Sequence, residues 1–223
     1  MSQDKVSEYL TRKLCSKRYG LVLGVVGLLG LQNYSFAFLT AQKVRARVFP
    51  KEYMESTFGN QIRREFGPDA HVPGMGYPDM GAGPFSKQLA YKDWFEFNNA
   101  QRVHSNSLEQ LAWSLPAFLI AGIFFPRLAA SLGGVVFVGR ELYRYGYMTK
   151  EGPSSKIREM GAIPLNVAQL TLLLCIGFIG VRYMTGGFLK RRKLIKKLTM
   201  QPIDRKIAEV IEKEAKKKQG WAN

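Results

Sequence analysis

The sequence has few cysteines, few histidines and few acidic residues. Its 223 residues include two Cys, two His, and 17 Asp plus Glu against 33 Lys plus Arg, which gives a formal charge of +16. Two cysteines exclude a disulfide-based scaffold, and the scattered Cys and His residues form no metal-ligand pattern. The sequence contains no phosphate-binding loop and no nucleophile elbow. A hydrophobic content of 46% and an aromatic content of 12% exclude a wholly disordered chain.

Two stretches of the chain run for more than 20 positions without a charge. They are residues 19–42 and 160–181, and a basic residue follows each of them. A helix over the 24 residues of the first stretch is about 36 Å long, which is enough to cross a bilayer core of about 30 Å. Core helices of soluble proteins rarely run this far without a charge, so both stretches predict transmembrane helices. Residues 1–18 are polar and no cleavage pattern follows, so the first span is expected to be retained.

Two shorter uncharged stretches lie between them, at residues 110–126 and 128–139. They reach spanning length only when they include charged residues, back to Arg102 and forward to Tyr147. Pro126 forces the chain to turn between them. The sequence therefore predicts an all-α, four-helix transmembrane bundle within residues 1–187. The predicted spans are residues 19–46, 95–125, 127–147 and 160–184.

Polar residues fall on one stripe of each middle span, at spacings of three and four residues. The stripe of the second span holds Arg102, Asn106, Glu109 and Trp113, and that of the third span holds Arg140, Tyr143 and Tyr147. Counting the crossings places both stripes near the membrane side opposite the N-terminus. Charges inside a membrane cost about 2.5–3.5 kcal/mol each, and they usually face protein or a water-filled cavity. The stripes therefore predict a polar cleft for a small anionic ligand, since arginine binds carboxylates in a bidentate manner.

The same residues also fit a purely structural interpretation. The arginines would extend to the lipid headgroups, and the tyrosines would form an interfacial aromatic belt. Glu109 would then be a buried partner of Arg102 that orders the bundle. Composition and spacing leave both interpretations open.

Three segments carry specific motifs. Residues 97–109 read FNNAQRVHSNSLE, residues 125–133 read FPRLAASLG, and residues 138–147 read VGRELYRYGY. Together they resemble the second and third helices of the MAPEG family, the membrane-associated proteins in eicosanoid and glutathione metabolism. Within that family, residues 16–23 (SKRYGLVL) and 46–53 (ARVFPKEY) are most similar to the microsomal glutathione S-transferase type 3 branch.

The resemblance implies a homotrimer that binds glutathione, as co-substrate, between neighbouring subunits in contact with lipids. It implies conjugation of glutathione to lipophilic electrophiles, or reduction of lipid hydroperoxides. The implied glutathione-binding residues are Lys43 (with Arg45 as the alternative), Arg102, His104, Asn106, Glu109, Arg140, Tyr143 and Tyr147. The implied catalytic residue is Arg158, with Lys156 second, because a nearby guanidinium favours the thiolate over the thiol.

Two segments depart from the resemblance. Residues 59–93 form a Gly/Pro-rich insertion that predicts an irregular loop, acting as a lid, a docking surface or a linker. Residues 188–223 form a basic C-terminal extension with 12 Lys plus Arg and four acidic residues, in which residues 203–218 predict an amphipathic helix. Because this charge directly follows a span, it favours an anionic membrane surface over nucleic acid.

Two functions therefore stay open. One is a glutathione transferase or peroxidase with an intact cleft. The other is a non-catalytic subunit of a larger membrane complex, such as a mitochondrial respiratory assembly, that binds partners through the insertion and the extension. A lipid-binding helper protein without chemistry is a weaker third hypothesis. The expected location is the membrane of the endoplasmic reticulum or of the mitochondrion.

Overall fold

Five long helices make up most of the part of the chain that the structure describes. The structure is a computed structural model, and it describes residues 11, 12 and 14–186. The helices are α1 (Lys17–Val48), α2 (Lys51–Phe66), α3 (Tyr91–Phe124), α4 (Pro126–Tyr147) and α5 (Lys156–Gly186). A π-helical segment, Phe36–Gln42, lies within α1. One compact unit of the chain ends at Ile176 and a second begins at Gly177, within α5. The predicted basic extension, residues 188–223, lies outside the described residues.

Three of these helices, α1, α3 and α5, are long and apolar enough to cross a membrane. The chain is therefore an integral membrane protein. The helix α4 is not among these three, because its four charged side chains lie within only 22 residues and leave no long stretch that is poor in charge. The four side chains are those of Arg127, Arg140, Glu141 and Arg144. A fourth crossing through α4 stays a prediction.

The helices α1, α3, α4 and α5 share one apolar core. Each contributes at least one side chain that is almost fully buried: Val22, Phe118, Val136 and Leu172. Large apolar side chains on the outer faces of α1 and α5, such as Leu31 and Leu174, are exposed. This distribution is typical of a bundle whose outer surface faces lipid.

A second apolar core lies where α1 ends and α3 begins. At 32 and 34 residues, α1 and α3 are about 48 and 51 Å long, which exceeds a bilayer core of about 30 Å. Val48 of α1 and Phe97 of α3 pack there with Met54 and Phe58 of α2. We call α2 together with residues 67–90 the cap, because it covers the adjoining ends of these two spans.

The structure corrects the predicted insertion. Residues 59–66 belong to a helix, and α2 ends only where Gly67 adopts a φ of 102° that glycine favours. The buried side chains Met54 and Phe58 recur at helical spacing, and this pattern outweighs the Gly/Pro density of the segment that follows. The irregular part is therefore residues 67–90, which also include the short 3-10 helices Gly74–Gly76 and Ser86–Gln88.

Candidate ligand-binding site

A tight turn brings Arg158 back to the end of α4. Gly152, in the link between α4 and α5, has a φ of 54° that suits glycine. The guanidinium carbon of Arg158 then lies 6.0 Å from the ring centre of Tyr143 and 5.9 Å from that of Tyr147. The two rings are 4.9 Å apart. The 11-residue separation between Tyr147 and Arg158 is therefore closed by the turn at Gly152.

Gly146 allows this close approach of α5 to α4. A Cβ atom at position 146 would come within 2.6 Å of the Cα atom of Arg158, which is too short for carbon atoms that are not bonded. Small residues at a helix crossing let two backbones come this near. The position of Arg158 over the two tyrosines therefore depends on glycine at 146.

The second span contributes two further polar side chains. The Nδ2 atom of Asn106 donates a 2.7 Å hydrogen bond to the Tyr143 hydroxyl oxygen. Arg102, one turn away on α3, is exposed and interacts electrostatically with Tyr147, as does Arg158. We call these five residues, Arg102, Asn106, Tyr143, Tyr147 and Arg158, the tyrosine–arginine cluster.

Arg158 has unused hydrogen-bonding capacity. Its Nε atom is buried and has no hydrogen-bond partner among the residues that the structure describes. A terminal nitrogen of the same side chain lies 3.4 Å from a carboxylate oxygen of Glu159, which is exposed. A buried N–H without a partner costs about 1–3 kcal/mol, so an acceptor on a ligand would stabilise this arrangement. The cluster can therefore bind an anionic group between a guanidinium and two phenols.

Arg140 is more deeply buried than the arginines of the cluster, and it interacts electrostatically with Tyr143. Its side chain is 4% exposed and it donates a short hydrogen bond to the amide oxygen of Gln110. Its neighbour Glu141 accepts hydrogen bonds from Arg144 and from Gln32 of α1. Contact between Arg140 and a ligand in the cluster stays a prediction. Gln32 and Gln110 were not among the predicted site residues, because neutral amides within apolar stretches give little sequence signal.

Four other predicted site residues lie at or near the protein surface. Lys43, Glu109 and Lys156 are exposed, and His104 is half-buried. Within residues 11–12 and 14–186, Glu109 forms no ion pair with Arg102, so the interpretation of Glu109 as a buried partner that orders the bundle is wrong. The binding roles predicted for Lys43, His104 and Glu109 stay predictions.

Arg45, the alternative to Lys43, is held by the cap. Its side chain is 2% exposed, and its terminal nitrogens donate to the carbonyl oxygens of Met75 (3.2 Å) and Asp79 (2.6 Å). The guanidinium carbon lies 4.1 Å from the ring centre of Tyr77 and 4.9 Å from that of Phe97. Arg45 therefore joins α1 to the cap and is not available to a ligand in the cluster.

Asp79 orders the cap segment that receives Arg45. Its carboxylate accepts hydrogen bonds from the backbone N–H groups of Gly81 (2.8 Å), Gly83 (2.9 Å) and Ser86 (2.6 Å), and from the Ser86 hydroxyl. Burial alone raises the pKa of Asp79, but these hydrogen bonds outweigh it and keep the pKa below its ordinary value. The carboxylate is thus a structural element of the cap.

Comparisons with known proteins place most of the chain in one family. A model of the MAPEG family matches residues 22–179 of the chain. An uncharacterized protein of Synechocystis sp., sll1147, is 45% identical over 53 residues, which are 23% of this chain. The matched region covers only 39% of that relative. No solved structure matches the chain. The similarity to the microsomal glutathione S-transferase type 3 branch stays a prediction.

Proposed function

The chain belongs to the MAPEG family, and we propose that it is a membrane-bound glutathione transferase or peroxidase that binds glutathione at the tyrosine–arginine cluster. The observation that carries this proposal is the buried, unpartnered Nε atom of Arg158 beside two tyrosine rings. Lipophilic electrophiles or lipid hydroperoxides would reach the cluster from the bilayer. The proposal includes a homotrimer, in which a neighbouring copy completes the site.

Arg158 supplies the charge that this chemistry needs. A guanidinium near the glutathione sulfur favours the thiolate, which is the nucleophile, over the thiol. In a conjugation, the sulfur–carbon bond forms while the leaving group departs with its electron pair, and the thiol proton passes to solvent. The glutathione thiolate would lie between the guanidinium groups of Arg102 and Arg158 and the tyrosine side chains of the cluster.

The hydrogen bond between Asn106 and Tyr143 sets the direction of the phenol proton. Because the Asn106 amide donates to the Tyr143 oxygen, the phenol O–H remains available to donate elsewhere. A glutathione carboxylate or thiolate placed beside the ring could accept that hydrogen bond. Asn106 is thus a positioning residue, and Tyr143 is the group that touches the ligand.

Calorimetry of glutathione binding to the full chain in lipid nanodiscs tests the proposal. We expect saturable binding that Arg158→Met weakens at least tenfold. Lys156→Met is the matched control, since this exposed cation lies two residues away on the same helix, and it is expected to change the affinity less than twofold. Absence of binding to the wild type, or equal losses in the two variants, would contradict the proposal.

A structural subunit is the second candidate, and the cap favours it. The cap is folded, and it holds Arg45, the alternative cation to Lys43 at the end of the first span. Native electrophoresis of mildly solubilised membranes separates the two functions. Absence of glutathione binding together with migration in a large stoichiometric assembly supports the subunit. Migration of the chain as an isolated homotrimer contradicts it. The endoplasmic reticulum and the mitochondrion both remain predicted locations.

A further inference from the structure

Met80 of the cap places its sulfur atom beside two buried hydrogen-bond donors. A terminal nitrogen of Arg45, on α1, lies 3.4 Å from the sulfur, and the amide nitrogen of Gln101, on α3, lies 3.8 Å from it. Both of these polar side chains are more than nine-tenths buried. Three separate parts of the chain, α1, the cap and α3, therefore meet at one thioether.

The thioether makes poor use of these donors. The sulfur of methionine is only a weak hydrogen-bond acceptor, so both contacts are weak. Oxidation to the sulfoxide makes the side chain polar, and a hydrogen bond from a charged donor is roughly twice as strong as a neutral one. Methionine is unbranched and has three rotatable bonds, so an oxygen atom bonded to the sulfur can turn toward both nitrogens. The surroundings of Met80 therefore suit the oxidised side chain better than the reduced one.

The side chain of Met80 is also open to an oxidant. The residue is 61% exposed, although both donors beside its sulfur are buried. An oxidant in solvent or at the membrane surface can therefore reach the thioether without opening the cap. An accessible sulfur next to buried donors is the combination that a modification site needs.

We propose that Met80 is a site of oxidation to methionine sulfoxide by a hydroperoxide, and that Arg45 and Gln101 bind the sulfoxide oxygen. The sulfur forms a bond to the terminal oxygen of the hydroperoxide while the O–O bond breaks. The proton of that oxygen passes to the departing alkoxide, which leaves as an alcohol. The sulfur is oxidised by two electrons and the hydroperoxide is reduced by two. The step needs no glutathione, and the site shares no residue with the tyrosine–arginine cluster.

Oxidation of Met80 should hold the cap more firmly on the bundle. The sulfoxide oxygen would accept hydrogen bonds from α1 and α3 at once, in addition to the two cap carbonyls that already bind Arg45. Methionine oxidation usually disrupts a core or an interface, because it places a polar group among apolar ones. Slower opening of the cap after oxidation is therefore the result that distinguishes a built site from ordinary oxidative damage.

Treatment of the full chain in lipid nanodiscs with tert-butyl hydroperoxide, in the absence of glutathione, tests this inference. Peptide mass spectrometry follows the conversion of Met80, and the similarly exposed Met160 shows that the oxidant is active. We expect Met80 to be converted at least as fast as Met160, and hydrogen exchange of residues 67–90 to slow at least threefold. In Met80→Leu, the same treatment should leave exchange in the cap unchanged, because the effect comes from this one sulfur.

Gln101→Leu removes one of the two donors, so the slowing of exchange after oxidation should fall below twofold. Gln61→Leu is the matched control, because Gln61 is exposed on α2, and it should keep the threefold effect. If Gln101→Leu does not fold, Met80→Leu keeps the test usable, since it changes an exposed side chain to one of similar size.

Three results would overturn the inference. The first is a Met80 that stays reduced while Met160 is converted. The second is cap exchange that is unchanged or faster once Met80 is oxidised, which means that the sulfur is a structural contact only. The third is equal slowing in the wild type and in Gln101→Leu. All measurements are made without glutathione, so this inference and the proposed function can fail independently.

Discussion

Replacing Arg45 with methionine should open the cap while the membrane bundle stays folded. Arg45 donates two hydrogen bonds to cap carbonyls and lies over the Tyr77 ring. A hydrogen bond from a charged donor contributes about 1.5–3 kcal/mol, and a desolvated cation–π contact adds about 0.5–2 kcal/mol. We use the lower ends, because the substitution also relieves the cost of burying a charge. The expected loss is about 3.5 kcal/mol, which makes opening of the cap roughly several hundredfold more frequent.

Hydrogen exchange of residues 67–90, followed by mass spectrometry in nanodiscs, measures this opening. The matched control is Arg47→Met, two residues along the same helix, because Arg47 is half-exposed and pairs with Glu96 at 2.8 Å on the surface. A surface ion pair of this kind contributes about 0.2–1 kcal/mol. The reasoning is refuted if exchange in the cap rises equally in both variants, or if Arg45→Met leaves it unchanged.

Three further predictions test the cap, the cluster and the bundle in turn. Because the pKa of Asp79 is lowered in the folded chain, its stabilising contribution is present above its unfolded pKa and is lost as the pH falls through the folded value. Cap exchange rates, corrected for intrinsic chemistry, should be constant from pH 7 to about 5 and rise below about pH 4, and Asp79→Asn should remove this acid sensitivity. Gly146→Ala should weaken glutathione binding at least tenfold in calorimetry, whereas Gly134→Ala, where a Cβ meets open space, should not; equal effects would contradict the packing argument. Gln32→Leu removes two hydrogen bonds to α4 and should lower the detergent melting temperature, whereas Asn33→Leu, which removes a buried oxygen without a partner, should not lower it.

The sequence predicted the helices that contain the two long apolar stretches. A stretch of more than 20 residues without a charge is rare in soluble proteins and typical of a transmembrane helix. Helical spacing also predicted that the stripes holding Asn106 and Tyr143 face each other. In the structure, these two side chains form a hydrogen bond. Arg158 was a candidate through the resemblance alone. Its place beside the tyrosines depends on the turn at Gly152 and on the close approach at Gly146, and spacing along one helix does not reveal either feature.

The parts that the sequence did not predict depend on groups that carry no pattern. The cap holds Arg45 through backbone carbonyls, which every residue has, so side-chain identity gives no sign of the contact. Gln32 and Gln110 hydrogen-bond to α4, but in the sequence these neutral amides look like minor interruptions of apolar stretches. The amphipathic pattern of α2 was present in the sequence, but the Gly/Pro-rich segment beside it favoured a loop.

The cap has a consequence for how this chain can change over time. It is inserted between two helices whose ends already lie side by side, so its removal would need only a short replacement turn. However, removal would leave the Arg45 guanidinium facing the vacated surface without its two carbonyl acceptors. Loss of the insertion and replacement of this arginine by a neutral residue should therefore occur together. Descendants that keep one and not the other should be at a disadvantage.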